Sequence, residues 1–449
     1  MHRSCLTAAL ALLAGCSGQR SIQQALDAGS GTVTLPAGIV EIGAELKTPP
    51  NAHDLEIVGS QGTMLKAAPN FQGRSLIFVQ GAARVKLRNF AIDGNRKETE
   101  RATEMPSASS PFLIHFQGNG IVVENSKDVT IENIAFEEVS GFPILASRVK
   151  KILVAKVSIG NSGGRNNKGR NNTSGGILLE EGTDDFEVRD STLFKVYGNG
   201  IWTHSTYQSP RNYRGRIANN TFELIGRDAI QVGHANRVIV EGNTGKMIGY
   251  PFNIVDIENG GTPVAIDTAG KFDEGVYRKN RFEEINGKCF DLDGFHDGEV
   301  SENVCFNRGG AADYPNGHYG LVMNNTNLEM RSQLITIRGN TFDGTKFGGI
   351  FIIGKGHKVF GNKLLNLNRW NCNEGLKDNP CPFVKQDPGL TRAGIFLGEK
   401  AEHRAPAEEN VIEDNEITGY QMAENCILAS ARVSPAANIV RNNRCADTK

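Results

Sequence analysis

Acidic residues at alternating positions are the part of this sequence best suited to chemistry. Asp256 and Glu258 stand two residues apart in one short segment, and Asp291 and Asp293 stand two apart in another. Successive side chains of a β-strand point to opposite faces, so each pair would share a face. If the two segments are neighbouring strands about 4.8 Å apart, the four carboxyl groups form a two-by-two square. We call this the predicted acidic square.

Such a square is unfavourable for stability, because like charges within about 4 to 6 Å raise one another's pKa. Aspartate is also depleted from strands. The square therefore indicates a shared proton, a bound cation or a catalytic task, and the alternative is a solvated sheet face that tolerates the acids. His296, close behind Asp293, and His204, on an earlier strand, join the four acids as candidate catalytic residues.

The same carboxyl groups offer oxygen ligands to Ca²⁺, which takes about six to eight of them. The candidate Ca²⁺ ligands are Asp256, Asp291, Asp293 and Asp297. The candidate substrate-binding residues are aromatic, amide and guanidinium side chains near these strands, because rings stack on sugars and arginine pairs with carboxylates. They are Trp202, Gln231, Tyr207, Arg211, Asn324 and Arg308. An extended polysaccharide is the partner that this pattern favours.

A repeat organises the strands that must position these residues. A short β-branched strand followed by Asn and an apolar residue recurs at residues 85–90, 129–134, 217–222, 238–243, 335–342 and 411–417, with weaker copies at Asn280, Asn303, Asn362 and Asn443. Between the copies lies a second strand, usually introduced by Gly. Asn and Gly tolerate the left-handed conformation of sharp turns, and stacked Asn side chains can hydrogen-bond between coils. The pattern predicts a β-solenoid.

The predicted fold is all-β: a single parallel β-helix over residues 16–449. Loop insertions are expected near 95–112, 160–176, 205–215, 259–275 and 367–392. A solenoid end is an exposed sheet edge that must be covered. Residues 21–28 supply a short capping helix with Ile22, Ala25 and Leu26 on one side, ended by the glycines that follow.

The strand after this helix, residues 32–35, is followed by Pro36-Ala37-Gly38. A capping helix, a strand and this tripeptide resemble the start of the pectin-lyase-like superfamily of right-handed β-helix proteins. The resemblance covers nearly the whole mature chain and implies a right-handed helix, which also suits the hand of β-x-β crossovers. It further implies a protein of a group rich in enzymes that cut or remodel polysaccharides, although its motifs specify a fold rather than a reaction.

Three functions fit these residues. The first is an extracytoplasmic glycoside hydrolase, in which one carboxyl group protonates the leaving oxygen and another activates water. Inversion needs a gap of roughly 6.5 to 9.5 Å, which the diagonal from Asp256 to Asp293 could supply. The absence of a basic residue from the square favours this hypothesis.

The second is a Ca²⁺-dependent polysaccharide lyase, with His204, His296 or a loop Arg or Lys as the base. The third is a non-catalytic carbohydrate-binding or adhesion solenoid. The third stays open because the ordered motif series of polygalacturonases is not found, and Arg227-Asp228-Ala229-Ile230 resembles its paired-Asp strand only faintly. The Asp-Pro-His motif of alginate epimerases is missing as well.

The first residues predict export. Arg3, the apolar run 6–13 and small residues are typical of a signal peptide, and residues 13–16 resemble a bacterial lipobox with Cys16 as the lipidated residue. We expect a signal peptide over 1–15 and a lipid-anchored protein facing the periplasm or cell exterior. The alternative is an ordinary signal peptide with an incidental Cys.

Six further cysteines form three sequence-local pairs, which suit disulfides in an oxidising compartment. They are Cys289 with Cys305, Cys372 with Cys381, and Cys426 with Cys445. A zinc site is the alternative, but no C-x-x-C or His-spaced set supports it. A formal net charge of −1 over 449 residues argues against a nucleic-acid partner.

Overall fold

The computed structural model describes residues 18–104, 106–107, 109–172, 174–257, 262–317, 319–373, 381 and 389–448. The predicted signal peptide and Cys16 lie outside these residues. The chain divides into two compact units, Met1–Arg216 and Ile217–Lys449. Within the described residues, the structure contains no helix with the length and apolar character needed to cross a membrane.

Helix α1 opens the first unit and is helical over residues 18–26, close to the predicted range. Ile22 and Leu26 are buried on its inner side, whereas Ala25 is exposed. A second short helix, α2 (Arg96–Thr99), and a 3₁₀ helix (Phe112–Ile114) follow later. The strands of this unit, in chain order, are β1 (Gly31–Leu35), β2 (Ile39–Ile42), β3 (Leu46–Lys47), β4 (His53–Gly59), β5 (Met64–Ala67), β6 (Ser75–Gln80), β7 (Ala83–Asp93), β8 (Asn119–Glu124), β9 (Lys127–Glu137), β10 (Ile144–Ser147), β11 (Lys150–Ala155), β12 (Ser158–Ser162), β13 (Gly175–Glu180), β14 (Asp184–Arg189), β15 (Thr192–Val196) and β16 (Asn199–His204).

Each strand of the first unit pairs in parallel with the strand one coil further along, and the pairs form three sheet faces. One face runs β1, β4, β7, β9, β11 and β14, and a second runs β3, β6, β8, β10, β13 and β16. The third runs β2, β5, β7, β9, β12 and β15, because the long strands β7 and β9 bend from one face into the next. Alternation drives this packing: Val129 and Ile131 of β9 are buried, and their neighbours Asp128 and Thr130 are half-buried.

The chain passes into the second unit within β17 (Asn212–Ala218). Short 3₁₀ helices lie at Phe252–Ile254, Ala311–Asp313, Leu328–Met330 and Pro435–Ala437. The strands that follow are β18 (Thr221–Ile225), β19 (Ile230–Val232), β20 (Ala235–Glu241), β21 (Thr244–Ile248), β22 (Val264–Thr268), β23 (Phe272–Asp273), β24 (Val276–Arg278), β25 (Arg281–Ile285), β26 (Lys288–Asp293), β27 (Phe295–His296), β28 (Glu299–Ser301), β29 (Val304–Phe306), β30 (Leu321–Asn324), β31 (Thr336–Arg338), β32 (Thr341–Asp343), β33 (Ile350–Ile352), β34 (Lys358–Phe360), β35 (Lys363–Leu367), β36 (Ile395–Leu397), β37 (Val411–Glu413), β38 (Glu416–Gly419), β39 (Ile427–Ala429), β40 (Ile439–Arg441) and β41 (Arg444–Asp447).

The second unit repeats the three-faced arrangement. One face runs β20, β24, β28, β31, β34, β37 and β40, and the next runs β18, β21, β25, β29, β32, β35, β38 and β41. The third face, which carries the candidate site, runs β19, β22, β26, β30, β33, β36 and β39. All of these pairings are parallel, so the predicted parallel β-helix is confirmed.

An asparagine ladder stacks the coils of the second unit. The Nδ2 group of each ladder residue donates to Oδ1 of the next at 2.8–3.0 Å, and the backbone N–H of each residue donates to the same oxygen. The ladder residues are Asn220, Asn243, Asn280, Asn303, Asn340, Asn362, Asn415 and Asn443. The predicted hydrogen bonding between stacked Asn side chains is therefore confirmed.

All three predicted disulfides are present: Cys289–Cys305, Cys372–Cys381 and Cys426–Cys445. The predicted insertion at 259–275 is wrong in part, because this range contains β22 and β23. Residues 264–268 alternate in the way that a strand requires, and they take the place on the third face that the prediction gave to residues 254–258. The predicted acidic square is affected, because its Asp256 and Glu258 belong to the displaced residues 254–258.

Candidate functional site

The candidate site lies on the third face of the second unit, where Asp267 of β22 is in register with Asp291 of β26. The preceding residues Ile266 and Phe290 are also in register and are fully buried, so alternation turns the two carboxyl groups away from the core. We call Asp228, Gln231, Asp267, Lys288, Asp291 and Asp293 the acidic site.

The predicted alignment of Asp256 with Asp291 is therefore wrong. Asp256 follows the 3₁₀ helix Phe252–Ile254 and is 2% exposed, and the described residues place no strand there. A short apolar segment such as this one fits a turn as well as a strand, and its sequence pattern therefore did not decide between them. In the structure Pro251 is the N-cap of the 3₁₀ helix that replaces the predicted strand. Glu258, the other predicted member of that pair, lies outside the described residues.

A lysine stands inside the acidic site. Nζ of Lys288 donates to Oδ2 of Asp291 at 2.6 Å, and the two side chains are only 19% and 13% exposed. Burial alone would lower the pKa of Lys288, but Asp291, with help from Asp267, outweighs burial and raises this pKa. The prediction that the acidic square contains no basic residue is therefore wrong for the acidic site. Lys288 carries a positive charge there.

Asp267 is paired with a neutral side chain, whereas Asp291 is paired with a charged one. Gln231 lies opposite it on β19, and Nε2 of Gln231 donates to Oδ2 of Asp267 at 2.8 Å. Both residues are more than nine-tenths buried. Burial raises the pKa of Asp267 well above the usual aspartate value, and the nearby carboxyl groups of Asp228 and Asp291 raise it further. Asp267 therefore holds a proton under conditions in which an exposed aspartate has lost it.

Asp228 supports the site from the turn before β19. It is 3% exposed, and its Oδ1 accepts a 2.9 Å hydrogen bond from the backbone N–H of Val264, at the start of the strand that carries Asp267. Burial raises the pKa of Asp228, and the charge of Arg227 opposes that shift. This carboxyl group therefore fixes β22 beside β19 and adds negative potential behind Asp267.

Asp293 ends β26 and lies opposite Asn324 of β30. Burial, reinforced by Asp291, raises the pKa of Asp293 to about 7, although the backbone N–H groups of Thr326 and Gly270 oppose the shift. Among the described residues, none donates a hydrogen bond to Oδ1 of Asp291 or to Oδ1 of Asp293. Both oxygens are themselves buried, so the strand holds two carboxyl acceptors without donors beneath the surface of the third face.

The predicted Ca²⁺ ligand set does not fit this arrangement. Asp256 is not aligned with Asp291, and Asp297 lies in an exposed left-handed turn after β27. The ammonium group of Lys288 already stands 2.6 Å from Asp291, where it would repel a cation held by that carboxylate. We therefore derive no step through Ca²⁺.

His296 lies on a different face from the acidic site. It belongs to β27, which pairs with β23, and its Nδ1 is 2.7 Å from Oδ1 of Asp273. Gly294, in a left-handed conformation, turns the chain between Asp293 and His296. Closeness in sequence therefore does not bring His296 onto the sheet that carries Asp291, which corrects the prediction that the two act together.

His204 and Trp202 belong to the first unit, on β16. The imidazole ring of His204 stacks on Phe112 at 4.4 Å, and its Nδ1 is 3.8 Å from the buried carboxyl group of Glu180. Trp202 is 6% exposed and packs edge-on against Phe112 within an apolar cluster. Its ring is covered by protein, which corrects the predicted role in stacking on a sugar.

The remaining predicted binding residues are scattered. Tyr207 is 57% exposed and Arg211 is half-buried, both in the segment between β16 and β17. Gln231 and Asn324 lie on the third face as predicted. Arg308 follows β29 on another face and pairs with Asp343 at 2.6 Å.

Sequence reasoning missed Asp228, Asp267 and Lys288. Arg227-Asp228 carries the faint paired-acid resemblance noted above, and residues 264–268 have the alternation of a strand. The local sequence pattern does not identify Lys288. Its role depends on burial beside Asp291 and on the neighbouring strand of the preceding coil, and neither can be read from the residues around it.

The stacked parallel strands and the carboxyl-rich face define the class: a parallel β-helix protein with a buried polar site. The family described as the right-handed β-helix region matches residues 75–262. The right-handed parallel β-helix of the pectin-lyase-like type, predicted from the sequence, is therefore confirmed as the fold. A comparison with curated proteins finds no match.

Solved structures share the fold at low sequence identity. DFA-IIIase from Arthrobacter chlorophenolicus A6 is 11% identical, with 95% of this chain and 92% of that chain covered and a TM-score of 0.56. The A-module of the mannuronan C-5 epimerase AlgE4 from Azotobacter vinelandii is 14% identical, with 95% of each chain covered and a TM-score of 0.54. PfbA, a surface adhesin of Streptococcus pneumoniae, is 14% identical, with 78% of this chain and 88% of that chain covered and a TM-score of 0.53.

Proposed function

We propose that the protein is a carbohydrate-active enzyme that hydrolyses glycosidic bonds in a polysaccharide, with Asp267 as the acid and Asp291 as the carboxylate. One observation carries the proposal: two carboxyl groups in register have opposite environments. Asp267 is desolvated and accepts from a neutral amide, whereas Asp291 is paired with an ammonium group. Paired titratable groups whose environments differ in this way are typical of acid/base catalysis.

Asp267 would protonate the leaving glycosidic oxygen. Its raised pKa keeps a proton on the carboxyl group at pH values at which an exposed aspartate is ionised, and a general acid requires such a proton. Gln231 occupies Oδ2, so the proton belongs on Oδ1. As the leaving oxygen takes that proton, the carboxylate that forms keeps its hydrogen bond from the amide.

Asp291 would act at the anomeric carbon. Lys288 occupies its Oδ2, whereas Oδ1 is buried and has no donor among the described residues, so Oδ1 would react once the groups that cover it move aside. Neighbouring strands lie about 4.8 Å apart, closer to the separation of roughly 5 to 5.5 Å of retaining enzymes than to that of inverting ones. The register thus favours a covalent glycosyl intermediate on Asp291.

The lyase alternative requires a base, and Lys288 is the basic residue nearest to the carboxyl groups. Its raised pKa keeps it protonated, which favours hydrolysis. The names of two structures with this fold, DFA-IIIase and a mannuronan C-5 epimerase, agree with a carbohydrate substrate. Export with a lipid anchor at Cys16 belongs to the same proposal, supported by three disulfides suited to an oxidising compartment.

A screen of polysaccharides with the wild type, Asp267→Asn and Asp291→Asn tests the proposal. We expect new reducing ends from the wild type and a loss of at least about 100-fold in each variant. Asp297→Asn is the matched control, because this exposed carboxyl group lies off the third face. We expect it to be fully active.

Other outcomes contradict the proposal in distinct ways. Products that absorb in the ultraviolet through a new double bond would establish a lyase. Binding without products would establish an adhesion protein. Equal activity in all four proteins would remove the acidic site from the reaction.

A further inference from the structure

A polar cleft lies on a different face of the second unit from the acidic site. It follows the ends of β29, β32, β35 and β38, has a volume of about 520 Å³, and is lined by Arg308, Asp343, Asn366, Asn368, Arg369 and Tyr420 among others. These residues come from four successive coils. With strands about 4.8 Å apart, the cleft spans roughly 14 Å along the stack, which accommodates a short stretch of polymer.

The groups that this cleft presents are hydrogen-bond donors. Asp343 supplies the single carboxylate of its lining, and both oxygens of that carboxylate are already used: Oδ2 by Nη1 of Arg308 at 2.6 Å and Oδ1 by Nδ2 of Asn366 at 2.7 Å. Its side chain is 12% exposed, whereas that of Arg308 is 60% exposed. The exposed guanidinium group of Arg308 and the exposed amide group of Asn366 therefore face a ligand. The lining carries an excess of one positive charge, from Arg308 and Arg369 against Asp343.

The donors are held in place before any ligand arrives. The guanidinium group of Arg308 lies 4.8 Å from the centre of the Phe306 ring in addition to its pairing with Asp343. Nη1 of Arg369 donates to the backbone oxygen of Asn307 at 3.2 Å. Asn368 is fully buried and exchanges two hydrogen bonds with the backbone of Cys372, so it supports the neighbouring Arg369 rather than donating to a ligand itself. Ordering donors in advance lowers the entropic cost of binding.

We propose that this cleft is a second carbohydrate site, which binds the carboxylate groups of an acidic, uronate-bearing polysaccharide without cleaving it. Arginine recognises carboxylates through paired N–H donors, and amide groups serve the ring hydroxyls. The acidic site on the third face has the opposite chemistry, because it holds buried carboxyl oxygens of Asp291 and Asp293 that lack donors. The cleft therefore recognises different groups from the acidic site and depends on no step of the proposed hydrolysis.

Calorimetric titration of the full-length Asp291→Asn protein with a galacturonic acid hexasaccharide tests this site without turnover. We expect Arg308→Gln to weaken binding at least tenfold, because hydrogen bonds to charged groups are lost, and to reduce the dependence of the Kd on salt. Arg308→Lys, which keeps the charge but loses the planar fork, should weaken binding to an intermediate extent.

Arg338→Gln is the matched control, because Arg338 is a partly exposed arginine of the same unit that pairs with Glu299 at 2.7 Å outside the cleft. We expect its Kd to equal that of the parent. Absence of binding by the parent, an unchanged Kd in Arg308→Gln, or an equal loss in Arg338→Gln would overturn the proposal. A neutral or a sulfated hexasaccharide that binds more tightly than the uronate would overturn the assigned ligand class. Reducing-end assays of the same variants without the Asp291 substitution report separately on hydrolysis.

Discussion

Gln231 and Asp267 lie opposite each other on β19 and β22, joined by a 2.8 Å hydrogen bond from Nε2 to Oδ2. An amide N–H can only donate, so Oδ2 remains an acceptor in both protonation states of the carboxyl group. Gln231 thus selects which oxygen carries the proton, and it also favours the ionised form. It is a positioning residue for the proposed acid.

Gln231→Leu removes this donor while keeping a similar volume. We expect kcat to fall about tenfold and the alkaline limb of the pH–activity profile to move to higher pH, because the pKa of Asp267 rises when its carboxylate loses a hydrogen bond. Steady-state kinetics between pH 4 and 9 measure both effects. A lower kcat with an unmoved alkaline limb would reduce Gln231 to a packing role.

Lys288→Met leaves Asp291 without its cation. At pH 8 we expect the free energy of unfolding to fall by about 3 kcal/mol, because a buried carboxylate loses its partner. Urea midpoints of the variant and of the wild type at pH 8 measure the loss.

The control for Lys288→Met is Lys279→Met, because Lys279 is 65% exposed and lies 3.9 Å from Glu302. An exposed pair contributes at most about 1 kcal/mol, so its midpoint should barely move. A loss in Lys279→Met equal to that in Lys288→Met would show that the buried ion pair is not the cause.

Asp293 makes stability depend on pH. Its pKa of about 7 in the folded protein exceeds the unfolded value of 3.8, so its stabilising contribution is complete below pH 4 and is lost as pH rises towards 7. Asp293→Asn cannot ionise, and we expect a flatter stability profile from pH 4 to 7, by on the order of 2 to 4 kcal/mol. Thermal melts across this range measure it. Asp414→Asn, in an exposed turn, should keep the wild-type slope, and an unchanged slope in Asp293→Asn would contradict the raised pKa.

Asn303 occupies an interior rung of the asparagine ladder. Asn303→Ala removes the acceptor for the backbone N–H and one Nδ2 hydrogen bond of Asn280, and it removes the side-chain donor to the backbone oxygen of Tyr277. We therefore expect the free energy of unfolding to fall by about 3 kcal/mol. Asn443→Ala, at the half-buried last rung, should cost under about 1 kcal/mol because water can replace the lost bonds. Chemical denaturation of both variants gives the comparison. Equal losses in the free energy of unfolding for the two variants would mean that burial does not determine how much each ladder asparagine stabilises the fold.

Sequence reasoning predicted the features that repeat or lie close together along the chain. Asn340 and its ladder partners recur in one local template, and Cys289 lies 16 residues from Cys305. The acidic site depends instead on register between coils. The segment at Asp256 and the strand at Asp267 both fit a short apolar alternation, and only packing against Phe290 chooses between them. The ion pair of Lys288 is likewise a product of burial, which a local pattern does not reveal.

The spacing of the ladder residues has a consequence for how such a chain can change. Successive rungs are separated by 23, 37, 23, 37, 22, 53 and 28 residues, yet every rung has the same hydrogen-bond geometry. Length differences are thus absorbed entirely outside the rungs. The connecting segments can therefore be lengthened, shortened or exchanged without changing the spacing of the coils. Such changes, whether made by evolution or by design, would alter what the surfaces recognise.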